Sequence, residues 1–490
     1  MGMAVDGLVT GMSTTDTVNQ LIKVEALPQT ALKNKVTAQG KMVTAYQNIN
    51  SKFASLLTAA KALGSADTWG AMKATSNSDA AVVTTKTGAS AGSLTFHVDS
   101  LAAAHTVTFS NMSVASTATQ VAAGDVGITL LDGSSVNVTP TDGSLASVVA
   151  AINGEANAAY RAAAVQIGPG QYTLQLTAKS TGAAAAFAAP TGIDPAVLGA
   201  GVITTQGTNA VLSVGTTNPY QLSSATNTFA DVLPGVTVTA TRAQAPADAN
   251  VTVSLTEDVE GIAGKVQAMV DAANAALTEI ASQTKMKEGT TAGGALVGDS
   301  AVRKLSQQIL SAVAGGFGAL GTDSLSAVGI ETTRDGKLTF DKTKFTEAYA
   351  DDPAATQAYF DSYTNNSSVP VNPADPVAVK ANSTAFQPGW DTANLGIARR
   401  LETIAVVATE GVVLPTDPLG KVKQGTLQGL IQRRNASIDA LNDQVAEWDT
   451  RLELRRAMLN RQFSNLEVAM GKMQQQSTWL AGQLATLPTY

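Results

Sequence analysis

The chain of 490 residues contains no cysteine and only two histidines, His97 and His105. The first absence excludes a disulfide framework, a thiolate metal site and a cysteine nucleophile. The second leaves too few imidazoles for an ordinary zinc site, so both histidines read as structural or exposed on a β surface. A basic excess is missing as well. With a net charge of −7 and no cationic footprint, nucleic acid is not an expected partner. No apolar run reaches the length of a bilayer span, so no membrane partner is expected. The opening Met1-Gly-Met-Ala-Val-Asp6 has neither a basic n-region nor an apolar h-region, and no Sec-type signal peptide is expected. Asp6 also stands where N-myristoylation needs Ser or Thr.

Motifs that could carry chemistry fail on context. Gly88-Ala-Ser-Ala-Gly92, followed by Asp99 and His105, fits the G-x-S-x-G nucleophile elbow in letters. That elbow needs a strand–turn–helix setting and a histidine from far along the chain. Here everything falls in one short small-residue stretch, which reads as a hairpin loop. Gly261-Ile-Ala-Gly264 lacks the G-K-[ST] of a phosphate loop and reads as a helix start. The Asp335 turn lacks the calcium-loop pattern. The expectation is no catalytic residue, no metal, no cofactor, and no enzyme.

What the chain does have is periodicity. Ile431, Ile438, Val445, Leu452, Leu459, Leu466, Met473 and Leu480 place an apolar residue at every seventh position. Neither glycine nor proline interrupts Ile431–Met470, which predicts a rod of roughly 60 Å. Such a repeat keeps one seam on a partner. The companions Arg434, Leu441, Trp448, Arg455 and Gln462 are only half apolar, and from Leu459 they move four residues on, to Phe463 and Met470. That predicts different neighbours along the helix. Arg451, Glu453, Arg455 and Arg456 read as a solvated face, with pairing between subunits as the alternative. Two further seams run through Met42, Tyr46, Ile49, Phe53, Leu56, Ala60 and Leu63, and from Val259 to Ile280.

Charge is uneven. Residues 101–250 carry ten charged side chains, whereas the much shorter 431–472 carries thirteen. The middle is rich in Thr, Val, Gly and Ala with period-two patterns, as in Leu94, Phe96 and Val98, and reads as β. Helical patterns flank it at about 14–64, 257–285, 299–314, 393–410 and 424–484, with Pro28 suiting the first turn of a new helix. Asp351 and Asp352 before Pro353 read as a helix N-cap, and 365–392 as a linker. Residues 126–178 read as hairpin, helix capped by Ser144, and second hairpin; Val328–Phe340 reads as another hairpin.

Length alone suggests about three domains. The pattern divides further into an α+β multidomain chain: helical coiled-coil termini, a helical bundle, and an inserted β-rich two-part head. The expected parts are 1–40 with 440–490, a terminal coiled-coil leg; 41–75 with 257–439, a helical bundle carrying a β-hairpin; 76–113 with 205–256, a β-rich head; and 114–204, a second head part.

Several stretches together resemble the flagellar hook-associated protein 2 family, the filament-capping proteins of bacterial flagella. They are Gly7-Leu-Val-Thr-Gly-Met-Ser-Thr-Thr-Asp-Thr-Val-Asn-Gln-Leu-Ile22, in which Ser13 replaces a usual Asp but can equally cap a helix; the 126–178 unit, similar to the flagellin hook IN motif; Gly207-Thr-Asn-Ala210 with Asn227-Thr-Phe-Ala-Asp-Val-Leu-Pro-Gly-Val-Thr237; Leu296-Val-Gly-Asp-Ser300; and Gln462-Phe-Ser-Asn-Leu-Glu467 through Leu480. The resemblance implies a structural cap at the distal filament tip, outside the cell, exported by a type III route. It implies a closed ring of copies, a homopentamer, that holds flagellin in and helps it fold and insert. Flagellin, hook–filament junction proteins and a flagellar export chaperone are the implied partners. The assembly contacts fall on Val18, Leu21 and Ile22 at one end and on Leu459, Phe463, Leu466, Met470, Met473, Trp479 and Leu480 at the other. The alternatives are a tip-exposed adhesin for host mucin or glycan, or another hook-associated or flagellin-type axial protein.

Overall fold

A computed structural model describes residues 13–485 except Ser110, Asn111, Asn157, Thr291 and residues 317–323, 363–394 and 414–421. The expected linker at 365–392 and the first six residues of the Gly7 motif lie outside the described residues. The chain forms two compact units, Met1–Ser65 with Ala263–Tyr490, and Ala66–Ile262.

The first unit is helical. Ser13 caps α1 (Thr14–Glu25) by accepting from the Asp16 amide, and its hydroxyl donates to the Asp16 carboxylate at 2.7 Å. The chain breaks at Ala26 and restarts as α2 (Leu27–Leu63) with Pro28 in its first turn, where a missing amide proton costs nothing. The Met42–Leu63 seam is real: Tyr46, Ile49, Phe53, Leu56, Ala60 and Leu63 are all fully buried.

Two helices belong to the second unit, α3 (Ala66–Trp69) and α4 (Leu145–Gly154). The helical order then resumes with α5 (Val259–Thr284), α6 (Ser300–Ala314), α7 (Lys342–Asp351), α8 (Pro353–Asp361), α9 (Ile397–Thr409) and α10 (Thr426–Ala485). Asp258 opens α5 by accepting from the Gly261 amide, and Asp352 caps α8 as its place before Pro353 predicts. α9 lies against α2, α6 and α8.

The second unit is mostly β and holds two cores. In one, a five-stranded antiparallel sheet runs in the order β1 (Met72–Ser76), β15 (Val251–Glu257), β3 (Gly92–Ser100), β11 (Ala210–Val214), β12 (Tyr220–Ser224). A three-stranded sheet of β13 (Thr228–Leu233), β14 (Val236–Ala240) and β2 (Ala81–Thr85) closes over Leu94, Phe96, Val98, Leu212, Val238 and Val253. Alternation along β3 sends Leu94, Phe96 and Val98 inward and leaves the residues between them on the outer face.

The other core belongs to the 126–178 unit and its surroundings. One sheet holds β10 (Val202–Thr205), β4 (Ala104–Thr108), β8 (Gln171–Thr181) and β7 (Tyr160–Gly168); another holds β6 (Ser135–Val138), β5 (Ala122–Thr129) and β9 (Thr191–Ile193). Both expected hairpins form, β5 with β6 and β7 with β8. Ser144 caps α4 as expected, by accepting from the Ser147 amide, and α4 buries Leu145, Val148 and Ile152. The later hairpin pairs β16 (Ile330–Thr332) with β17 (Leu338–Phe340). Val328 is not part of it, because Leu325–Val328 curl into a 3-10 turn ended by Gly329 at φ 81°. One more pair, β18 (Val412–Val413) with β19 (Val422–Lys423), precedes α10.

Candidate assembly surface

At 60 residues, α10 is about 90 Å long. Its inward positions step three and four residues at a time, through Ile431, Arg434, Ile438, Leu441, Val445, Trp448, Leu452, Arg455 and Leu459. After Leu459 the step becomes four, to Phe463. The neighbours change as the broken companion pattern predicts, with α10 meeting α9, α2 and α1. On the facing helices the inward positions are Val18, Ile22, Glu25, Gln29, Leu32, Val36, Gln39 and Val43, again three and four apart. Sequence periodicity missed this stretch because three of its eight positions are polar.

Those polar positions have partners. Arg455 Nε donates to both Glu25 carboxylate oxygens, at 2.9 and 3.1 Å. The buried amide of Gln29 donates to Asp449 Oδ1 at 2.5 Å and accepts from Lys33 Nζ at 3.2 Å. Arg434 Nη1 donates to Gln39 Oε1 at 3.3 Å. Arg455 is therefore not simply a solvated residue. Arg451 does face solvent, with its guanidinium 4.5 Å above the Trp448 ring.

Of the residues expected to make assembly contacts, Val18, Ile22 and Leu459 form one buried cluster, with Leu452 and Phe463 against it. Leu21 points away and is exposed. Beyond Phe463 the same face of α10 is bare: Leu466 is 48% exposed, Met473 58%, and Met470 and Leu480 are exposed too. Trp479, 64% exposed, lies about 180–200° around the helix from Leu459 at 100° per residue, on the same side as the exposed Val468 and Leu454. Distal α10 is apolar on two sides.

Polar side chains hold the helical unit that carries this surface. Asp299 caps α6 by accepting from the Ala301 and Val302 amides, and the fully buried Tyr46 hydroxyl donates to its other oxygen. Burial first, and the Asp299 carboxylate second, push the Tyr46 phenol above its ordinary pKa, so it remains a donor. This explains the Leu296–Ser300 motif: Leu296 is buried, Gly298 turns at φ 83°, and Asp299 caps. Two arginines of α9 reach other helix ends. Arg399 Nη2 donates to Gly64 O at 2.5 Å and its Nη1 to the buried Glu402 at 3.1 Å; Arg400 Nη1 donates to Ala312 O at 3.2 Å. Cations suit helix C-termini, where unpaired carbonyls gather.

The apparent hydrolase residues are engaged elsewhere. Asp99 is held by His97 Nδ1 at 2.9 Å and by the Ser213 hydroxyl at 2.5 Å. His105 is buried, with Nδ1 accepting from the Gly207 amide at 3.2 Å and its ring edge-on to Phe187. Among the described residues, then, Asp99 orients His97 and not His105.

The family model for the flagellar hook-associated protein 2 C-terminus matches residues 207–475, more than half of the chain, and the N-terminus model matches residues 10–105. The chain belongs to the flagellar hook-associated protein 2 family. Its match to flagellar hook-associated protein 2 of Escherichia coli K12 is 24% identical and covers 97% of each chain. The lateral flagellar hook-associated protein 2 of Vibrio parahaemolyticus is 31% identical over 140 residues, 29% of this chain and 31% of that one. In fold, the chain is similar to the solved D1-D2-D3 domains of the E. coli flagellar cap protein FliD, with a TM-score of 0.53 at 24% identity, over 80% of this chain and 99% of that one. The two family models leave 106–206 unmatched, the stretch that supplies most of the second β core. Both helical faces of the candidate surface, Val18–Val43 and Ile431–Met473, fall inside matched residues.

Proposed function

We propose that this chain caps the distal tip of the flagellar filament, outside the cell, where it retains flagellin and promotes its folding and insertion. Membership of the hook-associated protein 2 family supports the reading. The work is structural, by contact, without catalysis. Copies of the chain close into a ring, a pentamer in our reading, exported by the type III route with a chaperone and set above the hook–filament junction proteins. The terminal stretches 1–40 and 440–490 act as the leg of each copy, and the remaining three parts are the bundle and the two head pieces set out above.

One observation carries the reading: the α10 seam continues past its last partner among the described residues. Leu466, Met470, Met473 and Leu480 keep the face that Leu459 buries, yet stay exposed within one chain. Full burial of one such side chain stabilises an association by about 1.5–3 kcal/mol. Leucine and methionine left in a row on a long helix fit a surface that is covered on assembly. Trp479 and Val468 on the opposite side suit a second neighbour. Deleting the gene in its own host tests this. Flagellin shed into the medium, short or absent filaments, and rescue by added purified protein are expected. Normal filaments without shed flagellin would overturn it.

A further inference from the structure

The helices that carry the seam meet in antiparallel fashion, and a heptad repeat by itself does not choose among slid positions. Sliding α10 by seven residues returns apolar positions to apolar positions. Leu452, Leu459 and Leu466 are interchangeable in this sense, since each offers a leucine to the same side. Something else must select the observed pairing.

We infer that the Glu25–Arg455 ion pair and the Gln29–Asp449 hydrogen bond select the register in which α1 and α2 meet α10. Glu25, Gln29 and Arg455 occupy inward positions of the seam, and Asp449 reaches Gln29 from its flank. Gln29 is buried, and its amide is answered at both ends, by Asp449 and by Lys33. Arg455 grips Glu25 through both carboxylate oxygens in a half-buried position. Between Ile22 and Val43, Gln29 is the one buried side chain of α1 and α2. The buried point of this stretch is therefore polar where an apolar residue would be expected. A one-heptad slide carries Arg455 and Glu25 apart: Arg455 then meets Leu32 or Val18, and Glu25 meets Gln462 or Trp448, so neither finds an opposite charge. Arg434, now on Gln39, would leave that partner too. A polar seam position that is satisfied in one pairing and stranded in the others fixes register at some expense of stability.

The consequence for the proposed cap rests on the reading above. Register decides which α10 residues are covered internally and which remain for a neighbour. In the observed pairing, Leu459 is the last buried position of the apolar seam, with Phe463 packed against it, and Leu466, one heptad on, is exposed. A slide of one heptad toward the end of α10 would cover Leu466 and withdraw it from assembly; the opposite slide would bare Leu459. Glu25, Gln29, Asp449 and Arg455 are thus positioning residues, setting the span of the exposed seam without themselves touching a partner.

The absence of cysteine makes the test direct. In the full-length chain, Val18→Cys is combined with Leu452→Cys, Leu459→Cys or Leu466→Cys, and the thiols are oxidised under dilute conditions. In the natural seam only the Val18–Leu459 combination should close in high yield, since those side chains share the buried cluster. The same three combinations are then made with Glu25→Leu, Gln29→Leu and Arg455→Leu. If the polar pairs select register, the Leu452 or the Leu466 combination should now rise several-fold while helix content is kept. A retained preference for Leu459 alone would overturn the inference. So would loss of all three cross-links, because the polar groups would then support pairing itself instead of choosing among pairings. The readout needs neither filament nor flagellin, so it stands or falls apart from the capping reading.

Discussion

Tyr46 donates its hydroxyl to Asp299, so a fully buried residue of α2 holds the group that caps α6. The carboxylate accepts from the phenol on one oxygen and from two helix amides on the other. Tyr46→Phe strips the shared proton but leaves the cap, and should cost about 1–3 kcal/mol. Asp299→Ala strips the cap and leaves the buried hydroxyl without an acceptor, so it should cost more than Tyr46→Phe. Combining the two should cost less than the sum of the single losses, since they share one interaction. Urea unfolding of the three variants checks the order. Equal, additive losses would mean that the two groups act independently.

Asp361 shows what burial does to a carboxylate at the wrong end of a helix. It closes α8, where the helix dipole disfavours negative charge, and burial raises its pKa above 3.8 despite Gln357 and Arg399 nearby. The stabilising form is the protonated one. Its contribution is complete below about pH 3.8, the unfolded value, and is lost as pH rises through the raised folded value. At neutral pH the charge is therefore a cost. Asp361→Asn should raise stability modestly at pH 7, since the carboxylate it removes is only partly buried. The gain should vanish near pH 3. Urea midpoints at both pH values decide it, and a destabilised pH 7 variant would show that the charge on Arg399 needs Asp361.

How far the chain could be read from sequence follows from how local each signal is. The Leu459 heptad, the Ser13, Ser144 and Asp352 caps and the first hairpin of 126–178 are statements about neighbours in sequence, and all are present in the fold. α7 escaped because it has few apolar residues: Phe345 and Tyr349 are its only buried ones. Arg434 and Arg455 were visible as interruptions of the seam. Their partners, Gln39 and Glu25, stand 395 and 430 positions away and obey no local rule. The exposed ending of the seam could not be read either. Periodicity marks a face, and only the folded chain shows where that face stops being covered.

Leu466 tests the exposed seam without touching the core. It is 48% exposed, so an aspartate there buries no charge within the single chain. Leu466→Asp should change the unfolding midpoint of the isolated protein by no more than about 0.5 kcal/mol equivalent. Its circular dichroism should match that of the natural chain. In the host, the same variant should fail to retain flagellin and give short filaments. Leu459→Asp is the contrasting case: it places a charge in the buried Val18–Ile22 cluster and should weaken the terminal helices themselves. Normal filaments from Leu466→Asp would remove this residue from the assembly surface.

Trp479 reports assembly optically. It is 64% exposed, on the side of α10 opposite Leu459, and no internal helix covers it among the described residues. An indole in water emits at long wavelength and is quenched readily by acrylamide or iodide. If distal α10 is held on two sides in the cap, Trp479 should shift to shorter wavelength and lose most of its quenching on assembly. Trp69, already buried, should not change. The Trp479→Phe chain supplies the baseline, and subtracting it isolates the one indole. Hydrogen exchange gives the same answer for the backbone. Among the described residues, no helix covers the apolar positions Leu466, Val468, Met473, Trp479 and Leu480 of distal α10, and a helix draws most of its stability from packing. Its amides should exchange quickly before assembly and slowly after, whereas those of α2 from Tyr46 to Leu63 should be slow in both states. An unshifted indole together with equal exchange before and after assembly would leave distal α10 outside the contact, and the apolar stripes on its two faces would need another explanation.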